Sequence, residues 1–202
     1  MRKTRFIILV FFLLSSLTIP ANAWDGKRKG FILGFGIGPG LTSFTQELAA
    51  WDYYQGWVRV KSDRSNKMAI MTDFKIGYAP TDFYEIYYTG KVSWFGLENV
   101  FGDKVTISNG VGALGATYYF APQAPSPFIS GGIGFSTWSA PFESGSKTWT
   151  GFGLFVGGGY EFARHMSVEF DLLWGKPGTT ESGIQINSNA FSVKATVNLL
   201  GY

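Results

Sequence analysis

The chain has 202 residues, with seventeen Lys and Arg against fourteen Asp and Glu, a formal net charge of +3, 27 glycines and no cysteine. Only 15% of residues are charged and 18% are aromatic, which excludes a disordered chain; the missing cysteine excludes a disulfide scaffold and any thiolate-held metal or cluster. One or at most two domains fit this length, and so much glycine and aromatic content with so few charges suggests β structure facing an unusual solvent.

Residues 1–23 read as a secretory signal peptide. Arg2, Lys3 and Arg5 form a basic start, Phe6 to Leu14 a short apolar core, and Ala21-Asn22-Ala23 a small-residue cleavage site before Trp24. The apolar run is far shorter than the ~20 residues of a membrane-spanning helix. Cleavage removes three basic residues and no acidic ones, leaving fourteen charges of each sign. The basic excess therefore belongs to the export signal and predicts no nucleic-acid partner. Two segments are expected, a signal peptide over 1–23 and a single domain over 24–202.

Eight strand-like runs follow in the mature chain, each alternating with a period of two. The first, Gly30 to Leu41, sets Phe31, Leu33, Phe35 and Ile37 against Gly34, Gly36, Gly38 and Gly40. The second, Met68 to Ala79, opposes Ile70, Phe74, Ile76 and Tyr78 to Asp73, Lys75 and Gly77. The third, Phe83 to Trp94, opposes Tyr84, Ile86, Tyr88, Val92 and Trp94 to Glu85, Tyr87, Thr89 and Lys91. The fourth runs from Val105 to Phe120 and the fifth from Phe128 to Thr137. The sixth, Thr150 to Phe162, sets Phe152, Leu154, Val156 and Tyr160 against Gly157, Gly159 and Glu161. The seventh, Ser167 to Trp174, opposes Val168, Phe170, Leu172 and Trp174 to Glu169 and Asp171. The eighth, Ala190 to Leu200, opposes Phe191, Val193, Val197 and Leu199 to Ser192, Lys194, Thr196 and Asn198. Links alternate between long (42–67, 95–104, 138–149, 175–189) and short (79–82, 121–127, 163–166). An even number of antiparallel strands with long links at one end and short links at the other is the pattern of a transmembrane β-barrel.

Water is the wrong outer solvent for this pattern. The apolar faces are too large and continuous for one core, while the opposite faces carry Gly, Ser, Thr and a few charges. Turned inside out, small residues fill a narrow interior and apolar residues meet lipid. Tyr84 and Trp94 lie ten residues apart on one face; at about 3.3 Å per residue and ~40° tilt they span roughly the ~25 Å of an apolar band. Tyr78, Tyr84, Tyr118 and Tyr160 fall beside the short links, and Trp94 and Trp174 beside the long ones, with Trp138 and Trp149 nearby. These form two interfacial aromatic girdles.

The export signal, the Gly-alternating first strand Phe31 to Gly40, the eight amphipathic strands and the aromatic chain end resemble the small eight-stranded outer-membrane proteins of Gram-negative bacteria, the OmpX type and the OmpA transmembrane domain. The resemblance covers nearly all of 24–202. It implies a bacterial outer-membrane location, contact with outer-membrane lipid and lipopolysaccharide, periplasmic chaperones and the barrel assembly machinery as partners during biogenesis, and a monomer. In that family the C-terminal aromatic keeps the lipid-facing register; here Tyr202 is one residue out of phase with Val193, Val197 and Leu199, which a bulge near Gly201 would correct. No peptidoglycan-binding domain is expected after the barrel, and no lipid anchor, because no cysteine follows the signal.

The expected interior charges are Asp73, Lys75, Glu85, Lys91, Glu161, Glu169, Asp171 and Lys194, five acidic and three basic. An eight-stranded barrel is about wide enough for its side chains to fill, so a plugging ion-pair network is favoured over a narrow solute pore. Some barrels of this size are lipid A deacylases or palmitoyltransferases. His165-Met166-Ser167 spells His-x-Ser as the deacylases do, but it is the single histidine and falls in a short link at the wrong end, so no catalytic residue, cofactor or metal is assigned. In the first long link, Trp51, Tyr53, Tyr54, Trp57 and Arg59 read either as a recognition surface or as an interfacial anchor, with Val58 and Val60 alternating as if to extend a hairpin. The function expected is that of a non-enzymatic envelope protein with binding or adhesive surface loops.

Overall fold

The computed structural model describes residues 27–54, 56–98, 102–181 and 183–202; the signal segment 1–23 lies outside the described residues. Nine strands form one antiparallel sheet: β1 (Gly30–Asp52), β2 (Gly56–Lys61), β3 (Ser65–Thr81), β4 (Tyr84–Glu98), β5 (Lys104–Tyr119), β6 (Ser126–Ser139), β7 (Trp149–Ala163), β8 (Met166–Glu181) and β9 (Ile184–Gly201). Neighbours pair in the order β2-β1-β3-β4-β5-β6-β7-β8-β9, and β1 also pairs with β9, so eight strands close a ring. The ninth, β2, pairs with β1 from Glu47↔Lys61 to Asp52↔Gly56. It continues the line of β3, which holds the same edge of β1 from Phe44↔Ser65 to Gly30↔Ala79.

Two long links expected from the sequence are largely strand. Within 42–67, β1 runs on to Asp52 and turns into β2. Within 175–189, β8 reaches Glu181 and β9 begins at Ile184, with Gly183 at φ 82° in the turn. Above the apolar band both faces of a strand meet water. The alternation of hydrophobicity that marks a strand then vanishes while the backbone ladder continues. β1 has 23 residues; at about 3.3 Å each and ~40° tilt it rises roughly 58 Å, over twice the ~25 Å of an apolar band. The wall made by β2, β1, β9 and β8 is therefore the tall side of the barrel.

The faces sort as an inverted globule. Phe35, Ile37, Ile70, Ile86, Leu114, Ile133, Phe152, Phe170 and Val197 point outward and exposed, whereas Asp73, Lys91, Glu161, Glu169, Asp171 and Lys194 are buried inside. A continuous exposed apolar belt over buried charge has one stable solvent, hydrocarbon. Tyr78, Tyr84 and Tyr160 are exposed near the short-turn rim, and Tyr118 packs on Tyr84 at 5.0 Å. Toward the other rim, the Trp94 indole donates to Thr72 Oγ1 at 2.9 Å and the Trp174 indole donates to Asn189 Oδ1 at 2.9 Å. Trp138 does not join them. It pairs with inward-facing Asn109 and is 4% exposed, because it is out of phase with lipid-facing Ile133 and Phe135. Interior glycines make room for rings: a Cβ at Gly115 would sit 2.8 Å from Tyr87 and 3.0 Å from Phe155.

Inserting a charge into the belt tests its solvent. Ile133→Arg, near mid-height of β6, should cost about 2–4 kcal/mol of folding free energy in lipid vesicles. Urea titration followed by tryptophan fluorescence measures it, and a cost under about 0.5 kcal/mol, ordinary for a water-exposed site, would contradict a lipid-facing belt. Unboiled protein should also migrate differently from boiled protein on a detergent gel.

Candidate functional site

The interior is filled in tiers, from the short-turn end upward. At the bottom, Arg28, just ahead of β1, reaches across the barrel end to pair with Glu161. Its Nη1 donates to the Asp82 and Ala121 carbonyls at 3.0 and 2.7 Å, and its guanidinium lies 3.9 Å from the Tyr119 ring centre. The Tyr202 hydroxyl donates to Glu161 Oε1 at 2.5 Å. Next, Lys75 pairs with Glu85 at 3.4 Å and sits over the Tyr87 ring at 4.3 Å, while Tyr119 donates to Glu85 Oε1 at 3.1 Å.

The middle tier is the densest. Lys91 Nζ lies 3.0 Å from Glu169, 2.8 Å from Asp171 and 4.0 Å from Asp73. Lys194 pairs with Asp73 and, at 2.8 Å, with Asp171. Thr196 donates to Asp73 at 2.9 Å and Ser130 to Glu169 at 3.2 Å. Oxygens of Asp73, Glu169 and Asp171 converge within 4.8 Å of one another, and two ammoniums serve that convergence, so its chemistry is that of an ion-pair cluster. Asp73 Oδ1 and Asp171 Oδ1 have no hydrogen-bond partner among the described residues.

Above it, Thr42 Oγ1 bridges Ser93 at 2.5 Å and Ser192 at 2.8 Å. The mouth is closed by an apolar cluster of Phe44, Phe95, Ile107, Trp138 and Ala190. Ring centres of Phe44 and Trp138 are 4.8 Å apart, and Trp149 stacks on Trp138 at 6.2 Å. The segment between β6 and β7 is tied down beside it by Lys147–Glu181 at 3.2 Å.

The structure places all eight interior charges named from the sequence, Asp73, Lys75, Glu85, Lys91, Glu161, Glu169, Asp171 and Lys194, inside the barrel. It adds Arg28, which sequence reading missed. The signal was available: five carboxylates against three ammoniums left two uncompensated, an excess that a further buried cation reduces to one. The aromatic mouth was also missed.

Tyr202 stays in phase with Leu200 and faces inward, at 4% exposed; Gly201 keeps the β1–β9 register opposite Leu33 with no bulge. Its ring packs on His165 at 4.6 Å. His165, in the left-handed region at φ 67°, sets Nδ1 2.9 Å from the Leu200 carbonyl. The single histidine thus ties the last strand to the β7–β8 turn, and Ser167, in phase with Glu169 and Asp171 on β8, is buried.

The hairpin candidates lie at the far end. Trp51 and Trp57 face each other across β1–β2 with ring centres 5.8 Å apart at 77°. Tyr53 and Tyr54 form the tip, edge to face at 5.3 Å, and are 87% and 91% exposed. The Tyr54 amide donates to Asp52 Oδ1 at 2.8 Å, which shapes the turn. Arg59 lies 3.6 Å from Glu47.

An eight-strand ring with an apolar outside and a sealed, ion-paired inside defines a transmembrane β-barrel with a solid core. No family model matches the chain, and no curated protein matches it. Among solved structures it is similar to the outer membrane protein OprG from Pseudomonas aeruginosa, at 10% identity and TM-score 0.49 over 88% of this chain and 98% of that one. It is also similar to outer membrane protein AlkL solved in lipid bilayers, at 13% identity and TM-score 0.46 over 91% and 95%. A third is Neisserial surface protein A, at 13% identity and TM-score 0.44 over 81% and 97%.

Removing one cation from the middle tier should be severe. Lys194→Met leaves Asp73 and Asp171 short of a partner and should destabilise the barrel by about 3–5 kcal/mol. Adding Asp171→Asn, which removes the stranded charge, should recover much of the loss. Denaturant unfolding in vesicles measures both, and equal stability of the single variant and wild type would contradict a paired core.

Proposed function

We propose that this chain is a non-enzymatic, integral protein of the bacterial outer membrane, exported with residues 1–23 removed. In this reading 24–202 is a closed scaffold that presents the β1–β2 hairpin for binding at the cell surface. Periplasmic chaperones and the barrel assembly machinery would handle it during biogenesis, and it would stand as a monomer among outer-membrane lipid and lipopolysaccharide.

The observation that carries the reading is the contrast between the two ends of one wall. The lumen is filled at every tier, so there is little for a solute to pass through. The hairpin exposes four aromatic rings at the end of a rigid two-stranded arm. Exposed Trp and Tyr clusters beside an arginine have the composition of binding hot spots, and apolar surface left in water marks a contact site. The engagement of His165 by the Leu200 carbonyl supports the non-enzymatic part of the proposal, since its ring serves the fold.

Two measurements test it. Purified protein in planar bilayers should give no reproducible discrete openings, and stepwise conductance would sink the closed-scaffold reading. Cells displaying Trp51→Ser/Tyr53→Ser/Tyr54→Ser/Trp57→Ser should adhere less to polystyrene and matrix-coated wells than cells displaying wild type at equal surface abundance. Equal adherence on every surface would overturn a recognition role for the hairpin.

A further inference from the structure

On the outer wall of the tall side, the apolar band ends in a row formed by Ser43, Phe191 and Trp174, neighbours across β1, β9 and β8. The outward side chains beyond this row turn abruptly polar. Thr45 pairs with Asn189, and Glu47 with both Asn187 and Lys61. Lys176 stands two residues past Trp174 on β8. These six side chains, with Ser188, line one cleft of about 420 Å³.

We propose that this cleft binds the phosphate-bearing headgroup of an outer-leaflet lipid. The proposal rests on the membrane-spanning reading of the barrel, which gel mobility tests separately. Height comes first. The cleft begins one outward step above the Trp174 girdle, where headgroups, and neither acyl chains nor bulk water, meet a barrel wall.

Charge comes second. Lys61 and Lys176 form no ion pair with any described carboxylate. Glu47, the one carboxylate in the lining, is engaged by Arg59 from outside it at 3.6 Å, so the two lysines of the cleft face a carboxylate that already has a partner. A cleft on the opposite wall also sets two lysines, Lys67 and Lys104, against one carboxylate, Glu98, but no tryptophan borders it; charge and the Trp174 girdle coincide at the β1–β9–β8 cleft.

Donor geometry comes third. Lys176 Nζ is placed over the Trp174 ring at 5.4 Å, which limits its freedom at the rim. Asn189 spends its oxygen on the Trp174 indole at 2.9 Å, so its amide offers only N–H groups. Two ammoniums, carboxamide N–H and the Thr45 hydroxyl make a donor-rich set suited to phosphate ester oxygens and flanking sugar hydroxyls. Lysines at a membrane surface also attract anionic lipid from a distance.

The test is native mass spectrometry of the full barrel in detergent, titrated with diphosphorylated lipid A, enzymatically dephosphorylated lipid A and inorganic phosphate. Wild type should retain the phosphorylated lipid preferentially. Lys61→Gln/Lys176→Gln should weaken that retention by about thirtyfold and leave the dephosphorylated lipid unaffected. Lys147→Gln, whose ammonium pairs with Glu181 outside the cleft, should change nothing. Equal retention of both lipids by wild type, or unchanged affinity in the double variant, overturns the proposal. Displacement of the lipid by inorganic phosphate at comparable concentration overturns its assignment to a lipid. Should the double variant lose its heat-dependent gel shift, the wild-type comparison of the two lipids decides alone.

Discussion

Hydrocarbon offers no partner to a backbone N–H or C=O, and the rest of this structure follows from meeting that demand. Closure of β1 onto β9 removes the free edges that an open sheet would expose across the belt. A ring of eight strands is narrow, so the side chains directed inward must be small or must pair. Glycines opposite Tyr87 and Phe155 and the ion pairs of the middle tier are two answers to that single geometric fact. The interior accepts only a few large rings, such as Phe155 and the Phe44–Phe95–Trp138 cap, and the many apolar residues left on the outer face make it compatible only with lipid.

The same narrowness sets the electrostatics. A charge taken out of water costs several kcal/mol, which only close partners repay. Four cations, Arg28, Lys75, Lys91 and Lys194, face five carboxylates, and each cation touches at least one of them. The carboxylates come from β3, β4, β7 and β8, and the cations from β3, β4, β9 and the segment before β1. The network therefore links strands that are not hydrogen-bonded neighbours, as Lys91 of β4 does with Glu169 and Asp171 of β8. The ladder fixes the ring locally, and the ion pairs brace it across the diameter.

What was legible in the sequence follows the same physics. Where one face met lipid, alternation was strong, and the eight ring strands and their inward charges could be read from runs such as Tyr84 to Trp94. Where both faces met water, alternation faded. The extension of β1 to Asp52 and the β8–β9 hairpin therefore fall in segments that read as long links, and only the alternation of Val58 and Val60 signals the hairpin that β1 and β2 form. Arg28 is illegible by position, because it lies outside any strand, yet the excess of carboxylates over ammoniums points toward a further buried cation. Trp138 was misplaced because a girdle was inferred from sequence proximity to the rim; phase against Ile133 and Phe135 would have put it inside. Tyr202 shows the converse. Its phase mismatch with Val197 and Leu199 is plain in the sequence, but only the unbroken β1–β9 register excludes the bulge that would turn it outward, and its hydroxyl donates to Glu161 inside the barrel.

The tall wall and the filled mouth are coupled. Phe44, on the inner face of β1, packs against Phe95 and Trp138 to cap the lumen. Eight residues further on, the same strand turns into the exposed hairpin. A strand leaving the membrane without such an anchor would be an isolated two-stranded ribbon, which is marginal in water. Here β1 is clamped below by the aromatic cap and flanked to Ala49 by β9, so only its last turn of ladder depends on β2 alone. Sealing the mouth is therefore also what stiffens the arm that carries Trp51, Tyr53, Tyr54 and Trp57. An arm already ordered loses less conformational entropy when it is docked against a surface, and the aromatic cap is the part of this fold that orders it.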